Sequence, residues 1–120
     1  MPVSDTVALA HRWMELFNAH DIEGLVALYA EDCRHTSPKI RAMFPDTQGQ
    51  LVGKDALRTW WQDALARLPQ LRYETLHVTG DAQRVVVEYL RHAPGQPVLP
   101  VAEVFEIREG KIVASFVYHG

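Results

Sequence analysis

The chain has 120 residues, 48% hydrophobic and 22% charged, with a formal net charge of −3 and six histidines. That is one domain's worth of chain, residues 1–120, able to bury roughly two thirds of its unfolded surface. Its charge argues against a protein that grips nucleic acid or an anionic membrane through bulk positive charge. A single cysteine, Cys33, excludes an internal disulfide and makes the cytoplasm the default location. The opening MPVSDTVALA lacks the basic region and apolar core of a secretory leader. No apolar run approaches the roughly 18 to 20 residues needed to span a bilayer.

The first helix is predicted from Ser4 to Asn18, capped by Ser4 or Asp5, with Leu9, Ala10, Trp13, Leu16 and Phe17 forming its apolar stripe. Asp21 is a good cap for a second helix, whose apolar face is Ile22, Leu25, Val26, Leu28 and Tyr29 and whose end falls near Glu31-Asp32. A connection so short packs the two helices as a hairpin. From Cys33 the chain turns extended, because Pro38 disfavours helix at Ser37. Residues 39–53 have no clean period and carry Pro45, Asp46, Gly49 and Gly53, so they read as a long loop of the kind that serves as a lid. Lys39, Arg41 and Met43 lie on it, within reach of a ligand or of water.

A third helix is predicted from Lys54 to Leu68, with Leu57, Trp60, Trp61, Ala64 and Leu68 on its buried side and Pro69 as its stop. Neighbours on a helix point about 100° apart, so Trp60 and Trp61 divide between core and the rim of a cavity or interface. The period then changes. Residues 72–79, 84–92, 101–108 and 111–119 read as strands, with tight turns at Gly80-Asp81 and Glu109-Gly110 and a longer loop at 93–100. Three N-terminal helices followed by hairpin-linked strands make an α+β domain, the helices covering one face of a bent, mostly antiparallel sheet.

Alternation sorts the strand residues by face. Val101, Glu103, Phe105 and Ile107 share one face, so Glu103 is a carboxylate among apolar neighbours. Such a group must be paired, protonated, or on the wall of a wet cavity. Val85, Val87, Tyr89 and Arg91 make the better core face of their strand. In the last strand both faces are largely apolar, which predicts a central strand covered on both sides, and one of them ends in His119. Glu103, Arg91 and His119 are thus candidates to meet inside, with His35 a fourth; His92 falls on the opposite face. Two readings remain open. Arg91 and Glu103 form a structural ion pair, or these residues floor a ligand cavity. No metal or cofactor is called for: there is no H-E-x-x-H, no G-x-S-x-G around Ser37 and no Gly-rich phosphate loop. Cys33 reads as a small buried hydrophobe.

Three stretches, FNAHDIEGLVALYAEDCRHTSP, LVGKDALRTWW and AEVFEIREGKIVASFVYH, resemble the nuclear transport factor 2-like superfamily, and within it the SnoaL-like branch. The resemblance implies a cone-shaped domain whose bent sheet wraps the long helix around an internal pocket. It also implies a homodimer built on the sheet's outer face. Ketosteroid isomerases of this superfamily use a carboxylate base with a tyrosine and a protonated aspartic acid as oxyanion donors. By that resemblance the base position is Ser37, the tyrosine position Trp13, the aspartic acid position Glu103, and a pocket tryptophan falls at His119. Only Glu103 keeps its character, so steroid isomerisation of that type is not expected.

Two functions follow. The first is a small-molecule binder or cofactor-independent enzyme that moves protons, dehydrates or cyclises an apolar carbonyl compound, a substrate class the resemblance supplies. Glu103 or His35 is then the general base and His119 the acid or donor. Trp13, Phe17, Ser37, Lys39, Trp60, Tyr89 and Arg91 contact the substrate. With Glu103 as base, Glu103→Gln abolishes turnover. The second is a non-catalytic dimerisation or partner-binding module with a filled interior and a locked Arg91–Glu103 pair.

Overall fold

The computed structural model describes residues 3–120, with side chains from residue 5 onward. Helix α1 runs Val3–Asn18 and buries Ala10, Trp13, Leu16 and Phe17 of the predicted stripe; Leu9 is only half-buried, and Met14, which the stripe did not include, is buried. Its start falls at the edge of the described residues. Asp5 sits in the first turn, and the side chain of Ser4, the other expected cap, lies outside what is described.

Asp21 does cap the second helix, its carboxylate accepting from the Gly24 N–H at 2.9 Å. That helix, α2, is only Ile22–Val26, and strand β1 already begins at Tyr29 and runs to Thr36. The expected end near Glu31-Asp32 is therefore corrected. Helix period alone carries the apolar face through Leu28 and Tyr29. Instead the Ile112 N–H donates to the Leu28 carbonyl at 2.9 Å, and Tyr29 pairs with Ile112. A distant strand thus claims backbone groups that the helix would have used.

The predicted long loop is also structured. Helix α3 spans Pro38–Met43, a short 3-10 turn covers Pro45–Thr47, and strand β2 is Gln50–Val52. Ser37 is extended and caps α3, with Pro38 at the first helical position, where a missing N–H costs nothing. Helix α4, Lys54–Arg67, completes four helices. Arg58 holds α4 to α2, donating to Glu23 at 2.8 Å and to Asp55 at 2.7 Å.

Strands β3 (Arg72–Gly80), β4 (Arg84–His92), β5 (Leu99–Arg108) and β6 (Lys111–His119) join β1 and β2 in one six-stranded sheet of order β2-β1-β6-β5-β4-β3. All pairings are antiparallel except β1 with β6. The β5–β6 turn is as expected, with Glu109 and Gly110 both at positive φ, 53° and 76°, the combination a tight two-residue hairpin requires. On the inner face the alternation holds: Val85, Val87, Tyr89 and Arg91 are buried, as are Val101, Glu103, Phe105 and Ile107. Strand β6 is central in pairing, but its outer side is covered only in part, at Ala114. Phe116 is half-buried and Tyr118 is 57% exposed on the outer side. Cross-strand register lines up Val86, Val104 and Phe116 on that face, all three half-buried.

Candidate functional site

Between α1, α3, α4 and the inner face of the sheet lies a cleft of about 290 Å³. It is close to the lower limit of roughly 300 Å³ for a small-molecule site. Its deep wall is aromatic. Phe17 stacks on Tyr73 at 3.9 Å between ring centroids, Tyr73 on Tyr89 at 4.2 Å, and Trp13 lies against Phe17 at 5.4 Å. Trp61 is buried, edge-on to Trp13 and Tyr29, while Trp60 is half-buried with Phe44 packed against it. Both tryptophans reach the cleft.

Glu103 stands on this wall, 2% exposed. Its Oε1 accepts from the Tyr89 hydroxyl at 2.9 Å. Its Oε2 is buried without a hydrogen-bond partner among the described residues. Burial outweighs the bond from Tyr89 and pushes the Glu103 carboxyl up to about 8. At neutral pH the acid form prevails, and Oε2, without a partner among the described residues, is the oxygen left to donate. Tyr29 and Tyr89 are both raised well above the usual phenol range by burial first and by the Glu103 charge second, so their hydroxyls stay protonated.

His35 is buried on β1, its Nδ1 2.6 Å from Ser115 Oγ. Burial lowers its pKa to about 4, so the ring is neutral near pH 7. Nε2 has no bond among the described residues. Nearby, the Trp13 indole N–H donates to the Tyr29 hydroxyl at 3.0 Å, so it is already engaged within the chain. Tyr29→Phe leaves that buried donor without an acceptor. It should cost about 1–3 kcal/mol in urea unfolding followed by tryptophan fluorescence.

Arg91 is 7% exposed, but it donates to Gln96 Oε1 at 2.7 Å and forms no ion pair with Glu103 among the described residues. Of the two open readings, the structural Arg91–Glu103 pair is thus absent among the described residues, and a cleft lies beside them. His119 corrects a second expectation. It does not meet Glu103 and Arg91 inside but stands exposed at the rim, where β6 runs past the core. Partial burial and then the charges of Lys39 and Arg91 lower its pKa. Ser37 lines the cleft while its Oγ accepts from the Lys39 N–H at 3.2 Å, and Lys39 itself is half-buried. All ten residues singled out in the sequence border this one cleft.

Three further polar lining residues escaped sequence reading. Tyr73 lies directly across from Arg91, a register no single strand reveals. Arg67 ends α4 and reads as an ordinary helix-terminal cation. Gln96 sits in the 93–100 loop, which has no period to sort faces. Among the described residues no group of three or more His, Cys, Asp and Glu side chains is placed to hold a metal ion. No described helix is long and apolar enough to cross a membrane.

A curled sheet wrapped on a long helix, with a polar-floored cleft between them, defines the cone-shaped nuclear transport factor 2-like class. The SnoaL-like domain profile matches residues 10–115, and the chain belongs to that family. A SnoaL-like protein of unknown function from Burkholderia thailandensis E264 is similar over 100% of this chain and 98% of its own, at 23% identity and a TM-score of 0.88. Bal32a, from a soil-derived mobile gene cassette, is similar over 98% of this chain and 90% of its own, at 19% identity and 0.83. TerC, co-crystallised with polyporic acid, is similar over 97% of this chain and 92% of its own, at 18% identity and 0.81. No curated protein matches the chain by sequence.

Proposed function

We propose that the protein binds a small, moderately apolar carbonyl compound in this cleft and moves a proton on it without a cofactor. The observation that carries the reading is the unpartnered Oε2 of Glu103, a buried acid with no acceptor for its proton among the described residues. A preorganised donor in a dry site stabilises charge where it develops on a carbonyl oxygen. The base role expected of Glu103 or His35 then falls to His35. Its imidazole is neutral, fixed through Nδ1 by Ser115, and free at Nε2. In the tautomer whose Nδ1–H donates to Ser115 Oγ, Nε2 carries the lone pair and takes a proton from the carbon beside the carbonyl while Glu103 hydrogen-bonds the forming enolate oxygen. Return of that proton to another carbon gives isomerisation; where the neighbouring carbon bears a hydroxyl, its C–O bond breaks, the hydroxyl leaves as water with the proton held by His35, and the result is dehydration. With a pKa of about 4, His35 is a weak base and needs this help.

Phe17, Tyr89 and Trp60 face the ligand's apolar surface in this reading, and Trp13 holds Tyr29. Ser37, Lys39, Arg91 and His119 line its polar end. Co-crystallisation of TerC with polyporic acid supports small-molecule binding on the same scaffold. The row Val86, Val104 and Phe116 supports a homodimer through the outer sheet face, and the single cysteine supports a cytoplasmic location.

A general probe of the chemistry is exchange of the α-hydrogens of 2-tetralone into deuterated water, followed by NMR. The native chain should accelerate exchange. Glu103→Leu and His35→Phe should each lose about 100-fold or more, in line with the usual size of acid–base contributions. Glu103→Gln should retain activity within about tenfold, because its amide still donates a hydrogen bond. Loss as complete in Glu103→Gln as in Glu103→Leu would return Glu103 to the role of base. No acceleration by the native chain across a panel of aryl and alkenyl ketones would remove the proton-transfer reading.

A further inference from the structure

The chain carries more acidic than basic side chains, 15 against 12, yet its cleft is lined by the opposite sign. Lys39, Arg67 and Arg91 all border it, and Glu103 is the only carboxylate among the described lining residues. Three separate elements supply these cations: the start of α3, the last turn of α4 and the end of β4. None of the three has an acidic partner among the described residues, whereas Arg58 between α2 and α4 has two. Arg91 is the most telling. An arginine that is 7% exposed as a residue would ordinarily be matched by a carboxylate, and here its guanidinium has one neutral amide, Gln96. It carries five N–H donors, and the single bond to Gln96 leaves the others for something outside the chain. The cations also act on one another. After burial, the charges of Arg91 and Arg67 are what hold the Lys39 amine below its ordinary range. An anion between them would relieve that repulsion.

The Phe17–Tyr73–Tyr89 stack lies on the same cleft wall, and Tyr73 sits directly opposite Arg91 in the β3–β4 ladder. Planar apolar surface therefore adjoins the cationic mouth. We propose that the ligand is an acid: an apolar, planar body that packs on the aromatic stack with a carboxylate held at the mouth by Arg91, Lys39 and Arg67. This deepens the small-molecule reading of the cleft and rests on it. It places the carboxylate at the opposite end of the ligand from the carbonyl that Glu103 would contact. The Arg91 fork suits a planar carboxylate, which it can meet with two parallel bonds.

The test is calorimetric titration of the native chain with 2-naphthoate and with 2-naphthamide, a pair alike in shape and unlike in charge. The acid should bind about tenfold or more tightly at low salt, and its advantage should shrink at 0.3 M salt, roughly, as charge is screened. In Arg67→Ala, at an exposed position, the ratio should fall severalfold, and further when Lys39→Ala is added. Equal binding of the two compounds, or tighter binding of the amide, would overturn the anionic ligand while leaving the cleft as a site. An acid advantage unchanged in both variants would also overturn it, because the anion would then sit elsewhere. Failure of both compounds, repeated over about twenty acid and amide pairs of similar size, would take the small-molecule reading down with it.

Discussion

Glu103→Gln should outlast the native chain in urea at pH 8 and match it at pH 4.5. The native carboxyl has a folded pKa of about 8 against an ordinary value of 4.5. Between those values the unfolded chain has lost the proton that the folded chain keeps. The unfolded state binds fewer protons there, so stability falls as pH rises, by about 1.4 kcal/mol per unit. Above pH 8 both states are ionised and the slope vanishes. Over the full window the loss is on the order of 5 kcal/mol for a fully buried group. Glutamine is neutral throughout and keeps the bond with Tyr89, so it escapes that loss. The stability difference between variant and native chain should climb steadily from pH 4.5 to 8. A flat difference would show that Glu103 is ionised in the folded protein and has a counter-charge.

The second large effect has the opposite sign. His35 titrates near 4 when folded and near 6.5 when not. Between those values the unfolded state binds the extra proton, so stability is complete above pH 6.5 and is lost as pH falls toward 4. The loss is on the order of 3 kcal/mol. It should appear as the difference between the native chain and His35→Gln, which has no imidazole to charge. An NMR titration checks it independently: the His35 ring resonance should stay in its neutral position until pH approaches 4. A midpoint near 6.5 would mean that the ring reaches solvent. Between pH 4.5 and 6.5 the two groups oppose one another, so their joint contribution is level there and falls on either side.

Much of the site was legible because strands keep a period of two. Alternation alone put Glu103 among Val101, Phe105 and Ile107, and Arg91 with Tyr89, and the structure keeps both on the inner face. What alternation lacks is depth and register. His119 has the parity of Ser115, but parity does not say that the strand outruns the core. Arg91 and Glu103 share a face without sharing a bond, since Gln96 from the neighbouring loop takes the guanidinium. The end of the second helix was misread because Leu25, Val26, Leu28 and Tyr29 fit a helix equally well, and only pairing with β6 decides. Helix α3 was in principle readable: a serine followed by proline is a helix start as well as a block on helix at the serine. Tyr73 and Arg67 become site residues only once the sheet has curled over α4.

The pairing of β1 with β6 sets an order of events for a chain leaving the ribosome. His35 and Ser115, which touch across that pairing, are 80 residues apart. Chains grow at about 5–20 residues per second, so β1 waits roughly 4 to 16 s for its partner. During that time α1, α2 and α4 can form from local contacts, but the strand that carries His35 has only the short β2 beside it. Its open edge, and the tryptophans of α4, are then the surfaces a chaperone would meet. Contacts this distant also slow refolding of the complete chain. The cleft therefore forms only after β6 has emerged and paired with β1.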